Sequence, residues 1–394
     1  MDPLSTLLHL PLSERQERGL IHTPQEIAQQ PETWQTTFRQ LEARLPELQA
    51  FLAKCGVQAV TGAKPVVYLI GAGTSDYIGH SLHLLLREQW QCEVVPVAST
   101  SLLVDFAEWV LPEQPYLWIS FSRSGDSPEG VAVLERALAE CPNVAQLLVT
   151  CNAQGRMNQA IADRDNCLAI VLDDATNDRS LAMTSSFSNM VLAGQILAHA
   201  HNLEAYRPIL KSLVEAGTAL LPRAAKLAEK VVQEGFETAC FVGSGALAGT
   251  AKESALKVLE LTAGQVQTMS ESTMGLRHGP MAALQSSTLF VALVAGQPQQ
   301  QRYSLDLLQE IGSKELVRTR VAVALHATPE LRAAAEEVLT PGITVTIPDL
   351  YRPVLDVLFG QLLGLLASIE HGLKPDAPSP SGAISRVVQN VGIY

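Results

Sequence analysis

The sequence is poor in charged residues and lacks the patterns that mark a nucleic-acid-binding or membrane protein. Only 17% of its 394 residues are charged, and the formal net charge is −12. Such an acidic chain offers no broad basic surface to a polyanion, so we expect no nucleic-acid partner. We find no run of about 20 apolar residues that could span a bilayer, and no basic segment before an apolar stretch at the N-terminus. We therefore expect a cytoplasmic protein with no membrane partner.

Signatures of a metal site, a cofactor or a serine nucleophile are also missing. The six cysteines form no CxxC pair, which argues against a thiolate zinc site and a disulfide framework. No G-x-S-x-G sequence marks a nucleophilic serine. LIGAGTS would match a dinucleotide fingerprint only with glycine in place of Asp76, and the second candidate, GSGALA, lacks the required acid because Glu260 falls in a helical segment. We expect neither a metal nor a cofactor.

Short apolar runs alternate with helical segments over most of the chain. They form two sets, VVYLI, LWISF, QLLVT and LAIVL, then TACFVGSG, TLFVALV, RVAVAL and ITVTIP. Buried parallel strands joined by helices have this pattern, so the sequence predicts an α/β fold. Amphipathic segments near the N-terminus predict further helices, with Thr23 as a helix cap before Pro24.

The two sets align with each other at a nearly constant offset of about 170 residues. LIGAGTS falls on FVGSGAL, LWISF on LFVAL, LLVT on VAVA and AIVL on ITVT, and the apolar helix after TSSFSNM matches VLDVLFGQLLGLLASIEHG. We infer two copies of one α/β unit. The predicted order is an N-terminal helical segment (1–50), a first domain (51–204), a helical connector (205–233), a second domain (234–375) and a C-terminal tail (376–394).

A row of hydroxyls follows one strand of the first copy only. SFSRSGDSPEG supplies Ser122, Ser124 and Ser127 where the second copy has ALVAGQPQQQ, and the strand end LIGAGTS adds Thr74 and Ser75. In an open α/β sheet such loops lie at the carboxyl ends of strands, where ligands bind. Hydroxyls together with a helix N-terminus can bind a phosphate monoester without lysine. The alternative is that these residues only form turns and helix caps.

The helical segment AKESALKVLELTAG carries three charged residues on one face. Glu253, Lys257 and Glu260 recur at spacings of four and three among apolar neighbours. The segment leads into SESTMGLRHGP, in which Arg277 and His278 precede a Gly-Pro pair. A carboxylate and an imidazole are suited to general acid–base chemistry on a phosphorylated sugar. The alternative is a solvated charged stripe without a catalytic role.

Taken together, these motifs resemble the sugar isomerase (SIS) domain proteins. The likeness runs from about residue 65 through the tail and is carried by the tandem copies and by GAGTS, SFSRSGDSPE, TSSFS, ESALKVLELTAG and LRHGP. LKVLELTAG, GLRHGP and SPSGAISRVVQ are similar to the galactosamine-6-phosphate deaminase/isomerase branch. The resemblance implies two tandem SIS domains, each a three-layer, doubly wound, mostly parallel sheet flanked by helices.

The resemblance also implies roles for individual residues. By likeness to the isomerase domain of glucosamine-6-phosphate synthase, the phosphate would be held by the backbone at Arg123 and by Ser75, Ser122, Ser124 and Ser127. Glu260 would move a proton between C2 and C1 of the open-chain sugar, Lys257 would line the site, and His278 would assist ring opening from a neighbouring subunit. The expected substrate-binding set also includes Thr74, Thr184 of the TSSFS motif, and Arg277.

The sequence departs from the synthase pattern at several points. Arg123 stands where the synthase has glutamine, which adds a positive charge to the phosphate loop. The lysine near the synthase's C-terminus has no counterpart, and the tail offers Ser385 and Arg386 instead. No cysteine follows Met1, so we expect ammonia to be released rather than captured from glutamine.

We therefore expect deaminating isomerisation of an amino-sugar 6-phosphate. D-Galactosamine 6-phosphate would give D-tagatose 6-phosphate and ammonia, with water hydrolysing a ketimine, so the enzyme would be a hydrolase as well as an isomerase. We expect a homodimer with shared active sites. Two alternatives stay open: an aldose–ketose isomerase that releases no ammonia, and a non-catalytic sugar-phosphate sensor. The choice between galacto and gluco epimers stays open as well.

Overall fold

A computed structural model of the chain describes residues 1–57, 64–388 and 391–394. Within them the strands are β1 (Val66–Gly71), β2 (Val94–Ala98), β3 (Tyr116–Ser122), β4 (Val144–Thr150), β5 (Cys167–Val171), β6 (Thr238–Gly243), β7 (Gln267–Ser272), β8 (Thr288–Leu293), β9 (Thr319–Val323) and β10 (Glu337–Leu339). The helices are α1 (Pro3–Leu8), α2 (Leu12–Arg18), α3 (Thr23–Ala28), α4 (Gln30–Ala43), α5 (Leu45–Lys54), α6 (Thr74–Trp90), α7 (Ser99–Val104), α8 (Phe106–Trp109), α9 (Pro128–Glu140), α10 (Arg156–Ile161), α11 (Ser185–Ala198), α12 (Arg207–Glu234), α13 (Ala246–Leu261), α14 (Pro298–Ser313), α15 (Pro329–Ala334) and α16 (Pro353–Glu370).

The strands form two parallel five-stranded sheets with the same topology. The first sheet has the order β2-β1-β3-β4-β5 and the second has the order β10-β9-β8-β6-β7. Numbered within its own half of the chain, each sheet therefore has the order 2-1-3-4-5, a common doubly wound arrangement. The α/β prediction and the internal repeat are confirmed.

The chain groups into two compact units that do not follow chain order. The first-repeat unit contains residues 32–177, 185–208 and 384–394, and the second-repeat unit contains residues 1–31, 178–184 and 209–383. The first sheet lies in the former and the second sheet in the latter. The domain boundaries expected from the sequence stay a prediction, because the units group segments by contact and not by position in the chain.

Each sheet has helices on both of its faces. In the first-repeat unit, β3 is buried along its whole length, and Tyr68, Phe106 and Trp118 belong to one apolar cluster on one face. On the other face α6 packs against α11, whose residues are all buried. In the second-repeat unit α13 packs against α16 in the same way. These layers confirm the expected three-layer architecture.

The two GxG segments share a backbone conformation that requires glycine. Gly73 has φ +55° and ψ −125°, and Gly245 has φ +60° and ψ −131°. Residues with a Cβ atom rarely adopt this region. Each glycine turns the chain directly from the first strand of its sheet into a long helix, α6 or α13. The sequence repeat is therefore also a repeat of backbone geometry.

Three strands at sheet edges differ from the prediction. β2 and β7 were not predicted from the sequence. The last strand of the second sheet was expected at ITVTIP, but residues 343–348 form no strand. The edge position belongs to β10, which pairs with β9 from Val321 to Val323. In ITVTIP, Val345 and Ile347 are buried and Thr346 between them is exposed, but Ile343 is exposed as well, so the alternation covers only part of the segment. Among the described residues it pairs with no strand.

One apolar helix corrects the statement that no segment is long enough to span a bilayer. α16 has 18 residues and a mean hydropathy of 1.5, which meets the length and composition criteria for a membrane span. However, 83% of that window is buried inside the protein, as expected for a core helix. α16 is also the repeat counterpart of the buried α11.

The N-terminal helices are held by a residue from the far end of the chain. Thr23 is the first residue of α3 and not its cap, because its backbone N–H and its hydroxyl both donate to Asp376 at 2.8 Å. The same carboxylate accepts from the backbone N–H groups of Ile21 and His22. Asp376 thus caps α3 from 353 positions away in the sequence.

Replacing Asp376 with alanine removes the acceptor for three backbone N–H groups and one hydroxyl. We expect a loss of about 1–3 kcal/mol in the free energy of unfolding, since partly buried donors lose a charged partner. Urea denaturation measures this loss. Asp376→Asn keeps one oxygen and should lie between wild type and Asp376→Ala. Equal stability of all three proteins would contradict the capping role.

Candidate active site

The serine loop, Ser122–Ser127, is folded by its own hydroxyls. Ser122 Oγ accepts from the backbone N–H of Gly125 at 3.0 Å, and Ser124 Oγ accepts from that of Asp126 at 3.1 Å. A hydroxyl that accepts one hydrogen bond retains a proton to donate. The turn-forming interpretation is therefore right for these oxygens, and it leaves their O–H groups able to bind an anion.

A second loop, which the sequence analysis missed, supports the serine loop. Asn152 Nδ2 donates to the carbonyl oxygen of Ser124 at 2.7 Å, and a Cβ atom on Gly125 would lie 3.1 Å from Cα of Gly155. Gly125 has φ +65°, so glycine is needed both for conformation and for space. Its N–H donates to Ser122 Oγ, and the role of the loop in binding phosphate stays a prediction. The polar Asn152, two residues beyond β4, was the available signal.

Two helices begin beside these hydroxyls in the first-repeat unit. Ser127 is the residue before α9, its side chain makes no capping hydrogen bond, and Pro128 is the first helical residue. Thr74 and Ser75 are the first two residues of α6, and both are buried. Helix N-termini attract anions through unpaired N–H groups and the helix dipole. The first-repeat unit thus contains the complete set of hydroxyls predicted to bind phosphate.

The C-terminal tail is fixed to the serine loop through Arg123. The buried Arg123 guanidinium donates through Nη2 to the carbonyl oxygen of Arg386 at 2.6 Å. Arg386 in turn donates through its own Nη2 to Oδ1 of Asn177 at 2.7 Å. The tail is therefore attached at this point, and its contact with Arg123 uses a backbone carbonyl that the sequence could not reveal.

In the second-repeat unit, α13 presents the three predicted charges as a buried ion cluster. Lys257 Nζ lies 3.3 Å from Glu253 Oε1 and 2.6 Å from Glu260 Oε2. The side chains of Glu253 and Lys257 are fully buried, whereas that of Glu260 is 23% exposed. The alternative of a solvated stripe is therefore wrong. Of these three side chains, that of Glu260 is accessible to solvent.

The charge state of Lys257 follows from this pairing. Burial on its own lowers the pKa of Lys257, but the carboxylates of Glu253 and Glu260 outweigh that effect and raise the pKa above its ordinary value. The ammonium is thus retained in the interior. It holds the Glu260 carboxylate by a charge-assisted hydrogen bond, the strong class of such contacts.

The side chains of Arg277 and His278 have surroundings that differ from those of Glu260. Arg277 Nε donates to Glu310 Oε2 of α14 at 2.7 Å, so its charge is used in a structural ion pair. His278 is exposed after the short turn Gly275–Arg277. Among the described residues, no hydrogen bond or ion pair joins the imidazole to Glu260. The structure thus brings Lys257 and Glu260 together, and leaves His278 at the surface.

Thr184 is fully buried in the second-repeat unit and is held by a carboxylate. Its backbone N–H and hydroxyl donate to Asp178 at 2.8 and 3.1 Å. Nearby, Glu26 accepts hydrogen bonds from Ser180 Oγ and from the backbone N–H groups of Arg179 and Ser180. Burial, and then the charge of Asp178, raise the pKa of Glu26 to about 7. The role of Thr184 in substrate binding stays a prediction.

Comparison with known proteins identifies the family. No family model matches the chain. The D-galactosamine-6-phosphate deaminase AgaS of a Shewanella species is 35% identical over 403 residues, covering 100% of this chain and 98% of the relative. The Escherichia coli protein of the same name is 32% identical over 375 residues, covering 94% and 95%. The chain belongs to the AgaS family.

A solved structure agrees with this assignment. The crystal structure of tagatose-6-phosphate ketose/aldose isomerase from Escherichia coli superposes with a TM-score of 0.84 at 30% identity, covering 94% of this chain and 96% of that chain. The chain is therefore an enzyme with the tandem SIS fold that the sequence predicted. The expected hydrolase class is wrong, because these AgaS relatives and the solved structure are named as deaminases and as an isomerase.

The raised pKa of Glu26 predicts a pH-dependent stability in this AgaS-family protein. Below pH 4.5 the carboxyl is protonated in both folded and unfolded states. Between pH 4.5 and about 7 only the folded state keeps the proton, so the free energy of unfolding falls as pH rises, by at most about 1.4 kcal/mol per pH unit. Above pH 7 this contribution is constant.

Urea denaturation of Glu26→Gln and wild type from pH 4 to 8 tests this prediction. Because glutamine does not titrate, the stability of the variant relative to wild type should rise across that range. Glu17→Gln, an exposed change of the same kind, should show no such trend. A pH-independent difference between Glu26→Gln and wild type would contradict the assignment.

Proposed function

We propose that the protein converts D-galactosamine 6-phosphate into D-tagatose 6-phosphate with release of ammonia. The names of the AgaS relatives and of the solved isomerase support an amino-sugar phosphate as the substrate class. The observation that carries the proposal is Glu260, a partly exposed carboxylate held by the fully buried ammonium of Lys257. Such a carboxylate is available as a base and is fixed in direction.

In the proposed binding mode the sugar phosphate is held by hydroxyls and a helix N-terminus. Ser122 and Ser124 would donate the protons that remain after their oxygens have accepted from the loop backbone. Ser75, Thr74 and Ser127 would contribute the other hydroxyls, and the N-terminus of α9 the dipole. The buried guanidinium of Arg123 adds a positive charge at the same loop.

The proposed reaction is a proton transfer followed by exchange of nitrogen for oxygen. Glu260 takes the proton from C2 of the open-chain aldose, and the electron pair shifts to give a 1,2-enolamine. Return of the proton to C1, with O1 protonated and a proton released from the nitrogen, leaves a ketimine at C2. Water adds to the C=N bond, the nitrogen is protonated and leaves as ammonia, and the ketose 6-phosphate remains. General acid–base steps of this kind each contribute about 100- to 10,000-fold.

His278 is proposed to assist ring opening, as its position before Gly279 and Pro280 suggests. Its imidazole is exposed, which suits a side chain that is donated to a neighbouring subunit. We therefore include a homodimer with shared active sites in the proposal. Lys257, Thr184 and Arg277 complete the proposed substrate environment. For Arg277 this role competes with its ion pair to Glu310.

A second candidate is aldose–ketose isomerisation without ammonia. The name of the solved Escherichia coli structure, a ketose/aldose isomerase, favours it. The same Glu260 would move the same proton, and only the substituent at C2 of the substrate would differ. Membership of an enzyme family leaves no support for the non-catalytic sensor.

Replacing Glu260 with glutamine tests both candidates. Purified protein is supplied with D-galactosamine 6-phosphate or D-glucosamine 6-phosphate, and ammonia and ketose are both measured. We expect ammonia from the galacto sugar, and a fall in kcat of about 100-fold or more in Glu260→Gln because the base is lost. The aldose 6-phosphate that isomerises to tagatose 6-phosphate is supplied in a third reaction. Formation of ketose from this aldose, with no ammonia from either amino sugar, would favour the second candidate.

Glu229→Gln is a matched control for this experiment. Glu229 is exposed on α12, so the same chemical change should leave turnover within about twofold of wild type. Reaction in D₂O adds an independent readout, since a proton moved by an exchangeable carboxyl brings deuterium to C1. Wild-type turnover in Glu260→Gln would remove the proposed mechanism.

Loss of the Arg386 side chain should weaken substrate binding more than catalysis. In Arg386→Ala the tail loses its side-chain hydrogen bond to Asn177, which helps to keep the backbone carbonyl of residue 386 at Arg123. A net hydrogen-bond contribution of about 1 kcal/mol corresponds to roughly a fivefold rise in KM for the phosphorylated substrate, with kcat little changed. Arg164→Ala, an exposed change in the same unit, should leave KM unaltered. Equal KM values for wild type and Arg386→Ala would contradict a role for the tail in binding.

A further inference from the structure

The second repeat has a pocket where the first repeat has its serine loop. A cavity of about 530 Å³ opens at the carboxyl ends of β8 and β9, lined by residues that include Gly296, Gln297, His326, Thr328 and Asp349. Gly296 and Gln297 follow β8 and precede α14, as the serine loop follows β3 and precedes α9. Both helices have proline as their first residue. By topology, this is the counterpart of the proposed phosphate site.

The carboxylate of Asp349, a residue of the same chain, already occupies this position. The Asp349 carboxylate accepts from the backbone N–H of Gly296 at 2.8 and 3.0 Å and from that of Gln297 at 3.1 Å. These amides lie directly before α14, a helix of 16 residues. A carboxylate on backbone N–H groups at a helix N-terminus makes the contacts that a phosphate oxygen would make.

The Asp349 carboxylate is held in place by the buried side chain of Arg352. Arg352 Nη1 donates to Asp349 Oδ1 and to the carbonyl oxygen of Val294, both at 2.8 Å, and its Nη2 lies 2.6 Å from Asp356 Oδ2. The Arg352 side chain is fully buried. One guanidinium thus serves two carboxylates, so ionisation of both leaves the cluster with a net negative charge. A phosphate entering the pocket would meet that charge and find its amide donors occupied.

We propose that Asp349 is an internal anion that closes the second repeat to phosphate, so that each chain binds one sugar phosphate and not two. This inference rests on the proposed function of the serine loop in the first repeat. The internal duplication supplied two equivalent strand ends. The first repeat has hydroxyl donors beside the N-terminus of α9. In the second repeat, the carboxylate of Asp349, from the segment before α16, accepts hydrogen bonds from the backbone amides of Gly296 and Gln297.

Removing the carboxylate should open the second site. Asp349→Ser and Asp349→Asn are prepared in the Glu260→Gln background, so that substrate is bound but not consumed. Calorimetric titration with D-galactosamine 6-phosphate should give one equivalent per chain for the parent and two for Asp349→Ser. Asp349→Asn retains an oxygen of the same reach on the amides and should stay at one equivalent.

Crystals of the parent and variants soaked with inorganic phosphate locate each site. We expect phosphate at the serine loop in all three proteins, and at the N–H groups of Gly296 and Gln297 in Asp349→Ser only. One equivalent in a folded Asp349→Ser protein, or phosphate displacing Asp349 in the parent, would overturn the inference. The parent experiment does not depend on how well the variants fold. An empty serine loop in the parent would instead contradict the proposed function, and would leave the closed second repeat to be judged by the Gly296 site alone.

Discussion

A fully buried lysine keeps its positive charge only when carboxylates lie beside it, and this requirement organises the chemistry of α13. Lys257 satisfies it with two glutamates from its own helix, one turn before and one turn after. Removing either charge from such a cluster costs several kcal/mol, because the remaining charges are then left uncompensated away from water. Glu260 is consequently held in one direction by an interaction that also belongs to the protein core.

The position of α13 depends in turn on close packing against α16. A Cβ atom on Gly360 of α16 would lie 2.4 Å from Cβ of Ser254, so glycine at this position lets the helices approach. Lys257 and Ser254 lie on successive turns of α13. The helix contact and the ion cluster are therefore parts of one buried arrangement, and Glu260 is carried on a rigid element.

Duplication explains why one chain contains two similar sheet edges with different chemistry. Both sheets have the same strand order, and the second glycines of the two GxG turns, Gly73 and Gly245, have nearly the same φ and ψ angles. At the loop after the third strand, the first repeat has hydroxyls and the second has glycine and glutamine bound by Asp349. The electrostatic character of each edge is therefore set by a few side chains on a common scaffold, as expected when function depends on the site and not on the fold.

Central strands and helix faces were predictable from the sequence, whereas of the four edge strands only β5 was expected, as LAIVL. β3 is buried on both faces and appears as a continuous apolar run, whereas β7 is half-exposed and reads QTMSES. ITVTIP has the alternation of a strand, yet β10 already occupies the sheet edge beside β9. Edge strands need fewer apolar residues, so hydrophobic pattern alone identifies them poorly.

The sequence by itself determined the repeat, the hydroxyls at a strand end, and the common face of Glu253, Lys257 and Glu260, because these follow from local periodicity. Tertiary structure decided which of those charges are buried, and which distant groups meet. Asp376 reaches Thr23, Asp349 reaches Gly296, and the carbonyl of Arg386 reaches Arg123 across 353, 53 and 263 positions of the chain. Such contacts arise only when packing brings remote segments together, and no local pattern of residues encodes them.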